Sequence, residues 1–185
     1  MSEDPVTTYA KAQSAPYPSR AAQSKRNFIL QQGFPEPAAE TRDRQYSAIL
    51  FQPRLLGLVF VVASVAQSPA TFVALGVILW WCMLLPRLNP FNGFYNRVVA
   101  PWSGVTLTPS PAPRRFSQFL GGSFCFAIAA SLVLGFHTTA VVLEAFLLAG
   151  TATMLAGFCV GTLLFHVLRG RPDIARNTLP WATGA

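Results

Sequence analysis

The chain has 185 residues, of which 52% are hydrophobic and only 11% charged, with a formal net charge of +7. A soluble domain of this composition would lack the polar residues to cover its surface, whereas helices facing lipid need no such cover. The positive charge does not indicate nucleic acid, because the Arg residues cluster at the ends of apolar runs and not on a polar helix face.

Residues 1–46 differ in kind from the rest. Pro5, Pro16, Pro18, Pro35 and Pro37 interrupt a stretch rich in Ala, Ser and Gln, with no apolar periodicity long enough for a core. The composition predicts an extended cytoplasmic arm that becomes ordered only at an interface with another protein. Phe28, Ile29, Leu30 and Phe34 supply a compact apolar anchor, and are the expected partner-docking residues. Ser24-Lys25-Arg26-Asn27-Phe28-Ile29-Leu30 is similar to a twin-arginine string. Gln31-Gln32-Gly33-Phe34-Pro35-Glu36 follows where an export signal needs an apolar stretch, so neither an export signal nor a cleavable signal peptide is expected.

Four apolar runs follow, over 47–66, 69–85, 117–136 and 139–168. Pro53 predicts a bend or restart in the first; Pro69 suits the first turn of the second, and Pro86 ends it. The fourth, as one helix, would be about 43 Å long at 1.5 Å per residue and should tilt or project from a bilayer. The tips Gln67-Ser68-Pro69 and Phe136-His137-Thr138-Thr139 carry no Lys or Arg. From Leu55 to Leu168 basic residues occur only between the second and third runs, and the others lie at or before Arg54, near the start of the first run, or after the fourth. Short loops rich in Lys and Arg stay in the cytoplasm, which places both termini and the 86–116 loop there. The expected fold is all-α and membrane-embedded: four transmembrane helices as two antiparallel hairpins (domain 47–168), an extended arm and a basic tail over 169–185.

Small residues recur every fourth position in the third run (Ser123, Ala127, Ser131, Gly135) and the fourth (Ala145, Ala149, Thr153, Gly157, Gly161). Each series predicts a ridge where another backbone can approach, and the two are expected to face each other. The 86–116 loop, broken by Pro90, Pro101, Pro109, Pro111 and Pro113, alternates Phe91, Phe94, Tyr95 and Trp102 with Asn and Arg97. A short helix near 92–100 lying in the interface plane is expected. Trp80, Trp81, Arg114 and Arg115 join these residues as interfacial anchors to anionic phospholipids.

Pro86-Arg87-Leu88-Asn89-Pro90, Pro111-Ala112-Pro113-Arg114-Arg115-Phe116-Ser117-Gln118 and Gly157-Phe158-Cys159-Val160-Gly161 together resemble domain-of-unknown-function family 4395, small four-helix bacterial membrane proteins. The resemblance implies a bacterial inner-membrane protein of this topology and brings no established activity. In that family a second Cys often follows the Gly-Phe-Cys-x-Gly pattern. Thr162 stands there in this chain, so a dithiol role is not carried over.

Chemistry-bearing residues are few. Glu144 is the only acidic residue inside an apolar run, with His137 two turns before it on roughly the same face, and these two are the possible functional pair. Cys82, Cys125 and Cys159 form no CxxC pair and read as small apolar residues, with no metal or cofactor expected. His137 and His166 fall at opposite membrane faces, which excludes one haem held by both. No catalytic residue is assigned. The expected function is a non-enzymatic accessory or structural subunit docked onto a larger bacterial membrane complex, such as a respiratory or photosynthetic one. The alternative is a small transporter or a thiol- or sulfur-handling membrane protein.

Overall fold

The computed structural model describes residues 19–182, and all regular structure among them is helical. Helix α1 (Arg20–Gln31) begins at Ser19, whose hydroxyl accepts from the Ala22 amide at 3.2 Å. It ends before Gly33, where a φ of +84° lets the Phe34 amide donate to the Ile29 carbonyl at 3.2 Å. Residues 20–31 of the arm are therefore a capped helix and not extended. Pro5, Pro16, Pro18 and the rest of residues 1–18 lie outside the described residues.

Helices α2 (Arg42–Ile49) and α3 (Phe51–Ala66) form one apolar span of 25 residues, Arg42–Ala66, interrupted at Leu50. Pro53 accounts for the interruption, since it has no N–H to offer the carbonyl four residues back and its ring crowds that position. The Ile49 carbonyl released in this way accepts instead from Nη2 of Arg114 at 3.1 Å. A left-handed Gln67 ends α3, and the Ser68 hydroxyl and Pro69 start α4 (Pro69–Leu84).

The 86–116 loop is mostly helical: a short turn over Pro86–Leu88, α5 (Pro90–Phe94), a wider turn over Tyr95–Val99 and α6 (Ala100–Ser103). α7 (Ala112–Val133) starts five residues before the expected position, because Pro111 and Pro113 fall where a helix needs no N–H partner. α8 (His137–Leu155), α9 (Val160–Leu168) and α10 (Pro172–Asn177) complete the chain. The expected continuous helix over 139–168 is broken at 156–159. Gly157 takes φ +90° there and the Phe158 amide closes back onto the Thr153 carbonyl at 2.9 Å. Arg42–Ala66, Ala112–Val133 and His137–Leu155 are long and apolar enough to cross a membrane; α4 is a shorter apolar helix.

Two cores organise these elements. The first joins α3, α4, α7 and α8 through Phe60, Phe72, Leu79, Cys125, Ile128 and Leu147. α4 lies chiefly on α7, α7 also meets α8 and α9, and α3 packs on α8 more than on its sequence neighbour α4. A Cβ on Gly122 would stand 2.8 Å from Nε1 of Trp80 and 3.2 Å from the Gly76 carbonyl, so these two glycines allow the close α4–α7 approach. The second core sets Phe28, Ile29 and Phe34 against Ile49, Leu50, Tyr95, Leu107 and Cys159. Phe28 is 0% exposed. Burying such a side chain is worth about 1.5–3 kcal/mol, and Phe28, Ile29 and Phe34 together pack α1 and the turn after it onto the rest of the chain.

Candidate functional site

A cavity of about 500 Å³ lies between α3, α7, α8 and α9, with a single leucine of α4, Leu79, in its wall. Its walls are mainly apolar, from Leu56, Phe60, Leu120, Phe124, Phe146, Leu147 and Leu164. One end is polar. The Oε1 atom of Gln52 there accepts from Nη2 of Arg114 at 3.3 Å, Nε2 of Gln118 at 3.2 Å and Nδ2 of Asn89 at 3.5 Å. Arg114 is 3% exposed, with its guanidinium 5.8 Å from the centre of the Phe34 ring. Among the described residues no Asp or Glu forms an ion pair with it, and its Nη1 and the Gln118 Oε1 have no hydrogen-bond partner. Such unpaired groups in a low-dielectric setting favour any ligand that completes them.

A second polar cluster holds the break between α8 and α9. Oε1 of Gln31 accepts from the Cys159 amide at 2.9 Å, and Nε2 of His166 donates to the Gln31 carbonyl at 3.0 Å. The Thr162 hydroxyl donates to the Cys159 carbonyl at 2.9 Å, and Nε2 of Gln32 lies 3.5 Å from that hydroxyl. Asn27 donates to the carbonyls of Leu179 and Ala182, which ties the tail to α1. These bonds meet the backbone groups that the broken helix would otherwise leave unpaired.

Glu144 is 5% exposed, and Nε2 of Gln67 reaches both its carboxylate oxygens at 3.0 Å. This bond clasps the α3–α4 tip to α8. His137 is exposed and makes no hydrogen bond to Glu144, so the expected pair is not assembled. Cys82, Cys125 and Cys159 are buried free thiols, and the described residues contain no group of three or more His, Cys, Asp or Glu able to hold a metal.

The small-residue ridges do not make the α7–α8 seam. Ala127, Gly135, Ala145 and Ala149 are exposed, and the hydroxyls of Ser123, Ser131 and Thr153 turn back onto carbonyls of their own helices. Gly157 lies in the break beside Tyr46; Gly161 keeps the expected role, since a Cβ there would stand 3.2 Å from the Cα of Ser117 on α7, so the third and fourth runs do meet closely at this one position of the ridge. Gly76 and Gly122, which make the close contact, were legible only as isolated glycines in apolar runs. The docking residues are also corrected: Phe28, Ile29 and Phe34 are buried in the chain's own core, and Leu30 is half-buried.

Among the expected anchors, Trp102 is 91% exposed, and Trp81, Phe94 and Arg97 are also exposed. Trp80 stacks on Phe119, while Phe91 packs against the first core. Tyr95 is buried with its hydroxyl 3.0 Å from that of Ser103, and Arg115 donates to the Met83 carbonyl at 2.7 Å. Arg114 is no surface anchor, because Pro53 has freed a carbonyl that draws it inward.

The fold and groove define an all-helical protein with three helices long and apolar enough to cross a membrane. A family model, "Domain of unknown function (DUF4395)", matches residues 47–169, and the chain belongs to that family. Comparison with curated proteins and with solved structures finds no match.

Proposed function

We propose that the chain is a non-enzymatic, four-span protein of a bacterial inner membrane, with α2–α3, α4, α7 and α8 crossing as two hairpins and both termini in the cytoplasm. In this reading α1, the 86–116 loop, α9 and α10 make a folded cap on the cytoplasmic side, and the whole serves as an accessory subunit of a larger membrane complex. The observation that carries it is the outward surface. Val65 is 82% exposed, and Leu58, Val62, Val141 and Phe146 also point away from both cores. A water-soluble chain rarely shows so continuous an apolar face. Ala127 and Ala145 lie exposed on α7 and α8, leaving room for the close approach of a helix from another protein. Docking is assigned to these helix faces and the exposed loop aromatics, no longer to Phe28 and Ile29.

Isolation from the native membrane in mild detergent, followed by native mass spectrometry, tests this reading. A stoichiometric partner that is lost on Ala145→Trp supports it. A chain that runs alone, and that carries solute flux in liposomes abolished by Glu144→Gln, would replace it with the transporter reading.

A further inference from the structure

We propose that the groove between α3, α7, α8 and α9 binds an anionic phospholipid, its headgroup phosphate on Arg114 and one acyl chain along Leu120, Phe124, Phe146 and Gly150. Charge complementarity comes first. Arg114 is a fully buried cation whose Nη2 bonds only neutral oxygens, those of Ile49 and Gln52, and whose Nη1 has no partner among the described residues. It sits in the first turn of α7, where the backbone amides are already partly positive, with no acidic residue in that turn. The polar end of the groove therefore concentrates positive charge without a counter-charge from the described chain.

The second unpaired group narrows the headgroup. Oε1 of Gln118, also buried, needs a donor, whereas an ionised carboxylate offers acceptors only. A phosphodiester whose head alcohol keeps a free hydroxyl supplies both: phosphate oxygens for Arg114 and an O–H for Gln118. The remaining wall is apolar, and from Arg114 to Phe124 α7 rises about 15 Å at 1.5 Å per residue, a length suited to a chain and not to a compact solute. The cavity of about 500 Å³ is within the size range of small-molecule sites. Phe146 and Leu164 on its rim are exposed, which leaves a lateral opening for a lipid already in the leaflet. The inference rests on the membrane placement proposed above and not on the docking role.

The full chain is reconstituted in nanodiscs of equal phosphatidylcholine and phosphatidylglycerol, and separately in phosphatidylcholine containing oleate. It is then released into mild detergent and weighed by native mass spectrometry. Phosphatidylglycerol should stay bound roughly tenfold more than phosphatidylcholine, and Arg114→Gln should lose about that factor. Gly150→Phe guards against a mere folding defect. A Cβ at Gly150 meets nothing within 4 Å, so the ring fills the groove away from Arg114. This variant should keep its unfolding temperature and lose the lipid. Arg97→Gln, an exposed cation elsewhere, should retain it. Unchanged retention in Gly150→Phe, equal retention of phosphatidylcholine, or preferential retention of oleate would each overturn the site. Release of the chain from vesicles by alkaline carbonate would overturn the membrane placement itself; a carbonate-resistant chain without bound phosphatidylglycerol would overturn the site alone.

Discussion

The side chain of Gln31 accepts a hydrogen bond from the Cys159 amide at 2.9 Å, so the amino-terminal helix completes the backbone at the point where the last long apolar run is broken. The two residues are 128 positions apart. Their bond makes the arm part of the fold.

Gln31→Leu should therefore leave the Cys159 N–H buried without an acceptor, at a cost of about 1–3 kcal/mol. Thermal unfolding should fall, and amide exchange should rise both in α1 and around residues 157–160. Exchange that rises in α1 alone would mean that the break holds itself closed.

Phe28→Ala tests whether the arm serves folding or docking. Phe28 is fully buried and meets the Tyr46 ring edge-on at 5.3 Å between centroids. Its truncation should cost about 3–5 kcal/mol, seen as a lower unfolding temperature of the purified chain. A variant as stable as the parent would return the arm to a docking role.

Gly122→Leu should force α4 from α7, since even a Cβ there would stand 3.2 Å from the Gly76 carbonyl. Overpacking of this kind costs about 1–3 kcal/mol. Gly135→Leu, at a site open around its Cβ but with φ +77°, should cost less, about 1–2 kcal/mol from backbone strain alone. Equal stability of the Gly122 variant and the parent would show that the α4–α7 seam yields freely.

The proposed topology predicts where thiols can be reached. The native Cys82, Cys125 and Cys159 are buried and should stay silent to a membrane-impermeant maleimide. Thiols placed at Ser68 and Thr138 should react from the outer side of intact cells, and one at the exposed Thr106 only after lysis. Outer labelling at Thr106 would invert or break the two-hairpin arrangement, which rests on the distribution of Lys and Arg.

Local signals marked both ends of α4. Pro69 and Pro86 bound α4, within one residue of the expected limits, because proline acts through its own ring and missing N–H. Apolar run length placed the long helices now seen at Arg42–Ala66, Ala112–Val133 and His137–Leu155, but began the first two five residues late and carried the last past its end at Leu155. The break at Gly157 was not legible, because its neighbours are as apolar as the helices on either side and a glycine inside such a run commonly stays helical. The small-residue ridges, Gly161 against Ser117 apart, misled for a related reason: spacing tells which residues share a face, not which face another helix covers.

The sequence by itself determined the helical class, the apolar runs and the family, all of which depend on residues near one another in the chain. Only the tertiary structure decided that Phe28 and Ile29 complete an internal core, that Gln31 caps a helix break far along the chain, and that Arg114 turns inward to a carbonyl freed by Pro53. A buried polar group takes whatever partner the packed chain brings within hydrogen-bond distance. That partner is set by how the helices pack, and no local pattern of residues encodes it.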